Sequence, residues 1–310
     1  MTQNGIHHVT AIAGPARRNF DFYTRALGLR FVKKTVNFDD PGTYHFYYGD
    51  ETGRPGSILT FFPWEHASPG QLGVGETFET AFRIPEGSIG YWAHRLLDKG
   101  VVHETPRRSF GETVLAFRDP DGMRLALVGV PGAEAEPGWS GGEVPVEHAI
   151  RGFHGVTLLL RDAGPTQAIL TDVFGFAEDA REDAAIRLKA GDTAFGGLVD
   201  LRVGGGFPRG RQGAGSVHHV AFRAADDPTQ EDMVRRLAEN HRITTTEQRD
   251  RNYFRSVYFR EPGGVLFEIA TDVPGFAWDE PVASLGQALK LPAGLEAHRA
   301  RIEEVLPALA

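Results

Sequence analysis

The chain has 310 residues, 41% of them apolar and 24% charged, with a net charge of −8, which fits a globular protein of about two domains and, lacking a long basic run, argues against a nucleic-acid-binding surface. It contains no cysteine, so disulfides, zinc ribbons, iron–sulfur clusters and thiol nucleophiles are excluded, and a reducing cytoplasm suits it. The opening MTQNGIHHVT has neither the basic start nor the apolar core of a signal peptide, and no apolar run approaches the ~20 residues of a membrane-spanning helix.

A strand, a helix of about a dozen residues and further strands recur four times along the chain. The first module opens on the strand 6–12. A helix follows Gly14-Pro15, with Phe20, Tyr23 and Leu27 on one stripe. Segments 30–36, 43–48 and 58–62 alternate aromatic and β-branched residues with period two and are predicted strands. The second module opens at 78–83, places a helix at about 89–98 before Lys99-Gly100, and closes with the hairpin 113–117 and 123–128 around Asp119-Pro-Asp-Gly122. The third opens at 152–158, has a helix after Gly164-Pro165 and a late strand at 198–203. The fourth opens at 217–223, has a helix at about 230–240 carrying Met233 and Leu237, and closes with strands 256–259 and 265–270. Segment 132–150 is rich in Gly, Pro and Glu and is predicted to be a linker. The division expected from this order is an N-terminal domain of modules one and two (1–131), the linker, a C-terminal domain of modules three and four (151–273), and a partly helical tail (274–310). The class is α+β. Each module has a sheet face it cannot cover alone, so paired modules should curl around a shared cavity.

Two modules open with the same word, His7-His8-Val9 and His218-His219-Val220. Aligning FRDPDGMRLALV with FREPGGVLFEIA places Glu268 of module four opposite Ala126 of module two. An isolated His pair at a strand start is ordinarily a capping or core group. Two pairs at equivalent places of a repeat, plus a carboxylate in an apolar closing strand, instead suggest a metal. Two imidazoles and one carboxylate on one face of an ion leave positions open, the arrangement suited to non-haem Fe(II), although Mn(II), Zn(II) and Ni(II) accept the same donors. These three can converge only if modules one and four share a cup. Strand alternation sends neighbouring side chains to opposite faces, so only one histidine of each pair should enter it. A three-residue loop at 262–264 would set Tyr258 across from Glu268. In the middle modules Glu79 aligns with His219 and His154 stands in an opening strand, but Asp200 reads as one residue out of register with Glu268 and so turned away. A second metal is not expected there, and His154 reads as structural. His45, His66, His94, His103, His148, His241 and His298 have no comparable partners and receive no role.

The β-α-β-β-β repeat resembles the vicinal oxygen chelate superfamily, whose paired units form cupped, open-barrel sheets around a metal. Within it, HHVT, RFVKKTVNFDDPGTYHFYYGDETGRPGSILTFFP, VPVEHAIRGFH, SVHHVAF and DRNYFRSVYFREPGGVLFEIATDVPGF resemble the hydroquinone-type ring-cleaving dioxygenases. The resemblance runs from end to end. It implies His8, His219 and Glu268 as ligands of Fe(II), and His7, His218, Arg251 and Tyr258 as groups beside the substrate. Tyr258, His7 and His218 are then candidates to take the substrate proton, and Arg251 to stabilise developing negative charge. The implied substrates are 1,4-dihydroxybenzenes and O2. Tyr253 and Phe254 are candidates for the cavity entrance, or equally for core aromatics. Exposed sheet edges leave a homodimer open. Two other classes stay in view. A lyase or isomerase on the same scaffold would seek a further carboxylate, and Ala126 and Phe61 stand where one is expected. A small-molecule-sequestering protein would need no metal.

Overall fold

The computed structural model describes residues 4–191, 193 and 195–309. The strands are β1 (Ile6–Ala13), β2 (Arg30–Asn37), β3 (Asp40–Gly49), β4 (Ile58–Pro63), β5 (Glu76–Pro85), β6 (Arg107–Ser109), β7 (Glu112–Arg118) and β8 (Arg124–Val130) in the first half. The second half contributes β9 (Gly152–Leu160), β10 (Phe176–Glu182), β11 (Ala185–Ala190), β12 (Leu198–Val203), β13 (Val217–Ala224), β14 (Arg249–Asp250), β15 (Arg255–Arg260) and β16 (Leu266–Thr271). The helices are α1 (Ala16–Asp21), α2 (Ile89–Asp98), α3 (Gly164–Asp172), α4 (Asp227–His241) and α5 (Arg299–Val305). No helix among the described residues is long and apolar enough to cross a membrane.

The strands form two eight-stranded sheets, ordered β14-β15-β16-β13-β1-β4-β3-β2 and β10-β11-β12-β9-β5-β8-β7-β6. Each is a curled, open half-barrel of an α+β protein. Modules one and four share the first sheet and modules two and three the second. The sheets therefore do not coincide with the sequence halves 1–131 and 151–273: each takes one module from either side of segment 132–150. The reason is pairing at the opening strands. β1 is hydrogen-bonded on both edges, antiparallel to β13 and parallel to β4, and all eight of its residues are buried, as expected of a central strand covered on both faces.

Helices cover the outer faces. On α2, Trp92 and Leu96 are buried at helical spacing, and the Trp92 indole donates to the His148 carbonyl at 2.9 Å. Segment 132–150 is thereby docked rather than a free tether, with Val144, Ala149 and Ile150 buried and His148 stacked on Tyr91 at 4.1 Å. On α4 the Asp226 side chain caps the amide of Thr229, and Gln230, Met233 and Leu237 face inward. The helix after Pro15 is α-helical only to Asp21 and continues as a π-helical turn over Phe22–Ala26. Strands β10 and β11, absent from the sequence-level prediction, are charged, and β10 is mostly exposed, as suits a strand at the sheet edge, where period-two apolar patterning is weak.

The tail adds a tie. Lys33 is fully buried, and its ammonium contacts the carboxylates of Asp279 (2.6 Å) and Glu280, fastening 279–280 to the first sheet.

Candidate metal centre

The β1–β13 ladder is centred on the pair Val9–Val220, with His8 opposite Ala221 and Thr10 opposite His219. The register shifts at both ends of this run, between Ile6 and His8 on one strand and between His219 and Val217 on the other. His7 and His218 are the extra residues of two symmetrically placed β-bulges. A bulge re-aims its side chain, and here it overrides simple alternation. His7 Nδ1 lies 2.9 Å from His8 Nδ1, and His218 Nδ1 lies 2.8 Å from His219 Nδ1. Both rings of each pair thus sit together, contrary to the expectation that one would face away. In each pair one Nδ1 donates and the other accepts.

Glu268 enters from β16. Glu261 and Val265 close a three-residue loop through the bond from the Glu261 amide to the Val265 carbonyl, and this register pairs Tyr258 with Glu268, as the hairpin length predicts. Glu268 Oε2 lies 2.9 Å from His219 Nε2 and 3.4 Å from His8 Nε2, and the two Nε2 atoms are 3.3 Å apart. All three residues are buried, and these atoms could hold one metal ion. Adjacent donors of an octahedral or tetrahedral site with bonds of about 2.0–2.2 Å stand roughly 3.0–3.5 Å apart, so the residues present fit such an ion. Glu268 Oε2 has no hydrogen-bond partner of acceptable geometry, whereas Oε1 accepts from the Ser256 hydroxyl. Burial opposes its charge, but His8 and His219 outweigh that and hold its carboxyl well below the usual range. Burial, with His219 secondary, lowers His218 to about 3, and burial lowers His7 well below the ordinary histidine value. Both are neutral.

A cavity of about 260 Å³ opens onto His8, His219 and Glu268, with Phe62, Trp64 and Phe254 among its walls. Tyr258 and Arg251 line it, with Arg251 Nε 3.3 Å from the Tyr258 oxygen and Arg251 Nη2 3.2 Å from Asp39 at the rim. Burial and then Glu268 push the Tyr258 phenol up. Of the residues predicted beside the substrate, His218, Tyr258 and Arg251 reach the cavity. His7 lies behind it, packed on Phe254 at 5.2 Å. Phe254 lines the cavity, but Tyr253 is a core residue stacked on Phe276, with its hydroxyl donating to Asp279.

Sequence reasoning missed His45, which lines the cavity. Its Nε2 lies 2.8 Å from Thr60 Oγ1 and its Nδ1 2.9 Å from the Tyr47 hydroxyl. The available signal was its period-two spacing with Tyr47 on β3; Tyr47 pairs with Thr60 on β4. Thr60 is also the β4 counterpart of Glu268, since it pairs with Thr10 as Glu268 pairs with Ala221. Phe61, where a further carboxylate was sought, is fully buried in the hydrophobic core.

The second sheet repeats the plan without the histidine donors. Its ladder is centred on Thr80–Val156, with bulges at Phe78 and His154. Glu79 and Gly155 take the places of His219 and His8, and Ala126 and Asp200 those of Glu268 and Thr60. Asp200 pairs with Thr157, so it is in register and faces the second cavity; the predicted offset ignored the bulge. A side chain at Gly155 is impossible because a Cβ there would lie 2.4 Å from the Leu198 carbonyl oxygen.

Comparison with known proteins places the chain in a family. Residues 5–127 and 152–269 match the model described as Glyoxalase/Bleomycin resistance protein/Dioxygenase superfamily. MhqE of Bacillus subtilis (strain 168), which carries the provisional name ring-cleaving dioxygenase, is 46% identical over 100% of both chains. A protein of Sphingobium indicum named chlorohydroquinone/hydroquinone 1,2-dioxygenase is 31% identical over 94% of this chain and 92% of its own. A crystal structure from Bacillus subtilis subsp. subtilis str. 168 has a TM-score of 0.94 at 44% identity, covering 100% of this chain and 98% of that one. Glyoxalase I from Zea mays shares the fold alone, with a TM-score of 0.66 at 15% identity over 87% of this chain and 93% of its own. With the match spanning both halves of the chain, and the same bulged opening strands in both sheets, this protein belongs to the glyoxalase/bleomycin resistance protein/dioxygenase superfamily.

Proposed function

We propose that the first cup is the active site of a ring-cleaving dioxygenase that holds Fe(II) through His8, His219 and Glu268 and opens a hydroquinone-type 1,4-diol with O2. The observation that carries this reading is the convergence of three buried ligand atoms, His8 Nε2, His219 Nε2 and Glu268 Oε2, the last without a hydrogen bond of acceptable geometry. A buried carboxylate oxygen without a hydrogen bond is costly, and a divalent ion relieves that cost. The relatives named for ring cleavage support the reaction class. Mn(II) or another divalent ion satisfies the same donors.

When bound, the metal supplies Lewis acidity toward a substrate hydroxyl and a route for electrons from ring to oxygen. The remaining chemistry belongs to side chains. If His8 and His219 bind through Nε2, each keeps its proton on Nδ1 and donates it to the neighbouring Nδ1 of His7 or His218. His7 and His218 then carry their own protons on Nε2. His218 therefore offers the cavity an N–H, Tyr258 an O–H and Arg251 a fixed positive charge. A wall of donors stabilises the substrate oxygens in their anionic form. Phe62, Trp64 and Phe254 clamp a single ring.

The test is to strip metal anaerobically, restore Fe(II), and follow O2 uptake with hydroquinone and with catechol. Uptake with hydroquinone is expected. Uptake with neither diol, alongside turnover of a glyoxalase-type hemithioacetal with Zn(II) or Ni(II), would move the protein to the lyase branch of the superfamily.

A further inference from the structure

The second cup lacks the histidine pair but encloses a larger cavity, about 650 Å³, and it shares no lining residue with the first. One end is electrostatically closed. Arg187 grips Asp200 through Nε (2.8 Å) and Nη2 (2.9 Å) and reaches Glu112 through Nη1 (2.6 Å), and His154 Nε2 also meets Glu112 at 3.0 Å.

The other end is open. Glu79 Oε2 and Arg124 Nε are buried without a hydrogen-bond partner. Arg124 Nη2 stands 3.9 Å from Glu79 and 3.7 Å from Glu104, and Arg107 Nη2 stands 3.8 Å from Glu79, all beyond hydrogen-bond reach. Arg124 and Arg202 both stack on the Phe78 ring, at 4.4 and 4.7 Å, which orients their guanidinium planes. Buried polar groups left without hydrogen bonds are costly, so this end is built to be completed by something else. Oriented guanidinium forks match the two oxygens of a carboxylate or phosphate. The adjoining walls, Phe78, Val128, Val156 and Leu198, are apolar and favour an organic ligand over an inorganic ion. Burial raises the pKa of Glu79 against the pull of Arg107 and Arg124.

We propose that the second cup binds a small organic carboxylate, gripped by Arg124 with Arg107 and Arg202 and backed by Phe78. The site is independent of the metal cup and of the reaction assigned to it.

Titration calorimetry on the full chain tests this with benzoate, fumarate, inorganic phosphate and uncharged benzamide as probes. Benzoate or fumarate should bind at one site per chain, and benzamide should not. Arg124→Gln should weaken binding by about 10- to 100-fold, and thermal melting checks that this variant folds. Arg202→Gln, at an exposed position, should weaken it without disturbing the fold. His219→Ala should leave it unchanged. Absence of binding by both carboxylates, preference for phosphate, equal binding of benzamide, retention in both arginine variants, or loss in His219→Ala would each overturn the proposal.

Discussion

His8 Nε2 lies 3.3 Å from His219 Nε2 although 211 positions separate the two residues. The antiparallel pairing of β1 with β13 brings them together, and the two bulges fix which nitrogens meet. Because each imidazole is steadied by its neighbour's Nδ1, metal affinity should depend on four histidines, not two. Glu268→Gln and His219→Ala should lower Fe(II) affinity by more than roughly 100-fold, and His7→Ala or His218→Ala by about 10- to 100-fold. Metal content after anaerobic loading and desalting measures both effects. Stoichiometric iron in Glu268→Gln would contradict the assignment of the site.

Tyr258→Phe removes the hydroxyl that Arg251 approaches at 3.3 Å but none of the three donor atoms. It should retain metal while turnover falls by about 10²–10³-fold. Arg251→Met should act in the same direction and also raise KM, because it removes a cavity charge. Steady-state O2 uptake on metal-replete variants separates this pattern from loss of iron.

Thr60 is where a fourth ligand would stand, and it is bonded to Thr10 and His45 instead. Thr60→Asp should tighten Zn(II) or Ni(II) binding by at least about tenfold and suppress O2 uptake by occupying an open position. Thr60→Ser should leave both near the wild-type values. Competitive metal titration and oxygen electrode measurements on the folded variants check this.

Glu112 anchors the second cup. Burial opposes its charge, but hydrogen bonds and attraction from His154 and Arg187 lower its pKa from 4.5 to about 2. A lowered carboxyl pKa contributes stability that is complete above about pH 4.5 and is lost as pH falls toward 2. Glu112→Gln should therefore lose on the order of 2–3 kcal/mol at pH 7 and show a flatter stability profile between pH 4.5 and 2. Urea denaturation across that range gives the comparison; equal slopes for both proteins would refute it.

Lys33→Met leaves Asp279 and Glu280 facing a buried apolar group. Breaking one side of a buried ion pair costs about 3–5 kcal/mol, and Asp279 is partly exposed, so the lower end is expected. Chemical denaturation measures the loss. Accelerated proteolysis after Asp272 would locate it in the tail.

Period-two and helical patterning made most elements readable, and α2 was predicted at its observed bounds. The internal repeat exposed the pairs His7-His8 and His218-His219 together with Glu268, because the same word recurs and a carboxylate in an apolar strand is anomalous, while the choice of His8 and His219 within the pairs came from the family resemblance. Tyr258 followed from loop length. The side chains of His7 and His218 did not follow, since a bulge inserts one residue without a local signature and reverses the alternation rule. The same shift hid the true position of Asp200.

What the sequence determined alone was therefore local: periodicity, turn chemistry, and which residues depart from their neighbours' chemistry. Tertiary structure decided which modules pair, that His45 joins the cavity with Thr60 bonded behind it, that segment 132–150 is packed rather than free, and that Arg187 grips Asp200 in the second cup. Those outcomes depend on strand register and on contacts between residues on different elements, from 13 positions apart for Arg187 and Asp200 to 211 for His8 and His219, for which neighbouring residues carry no energetic signature.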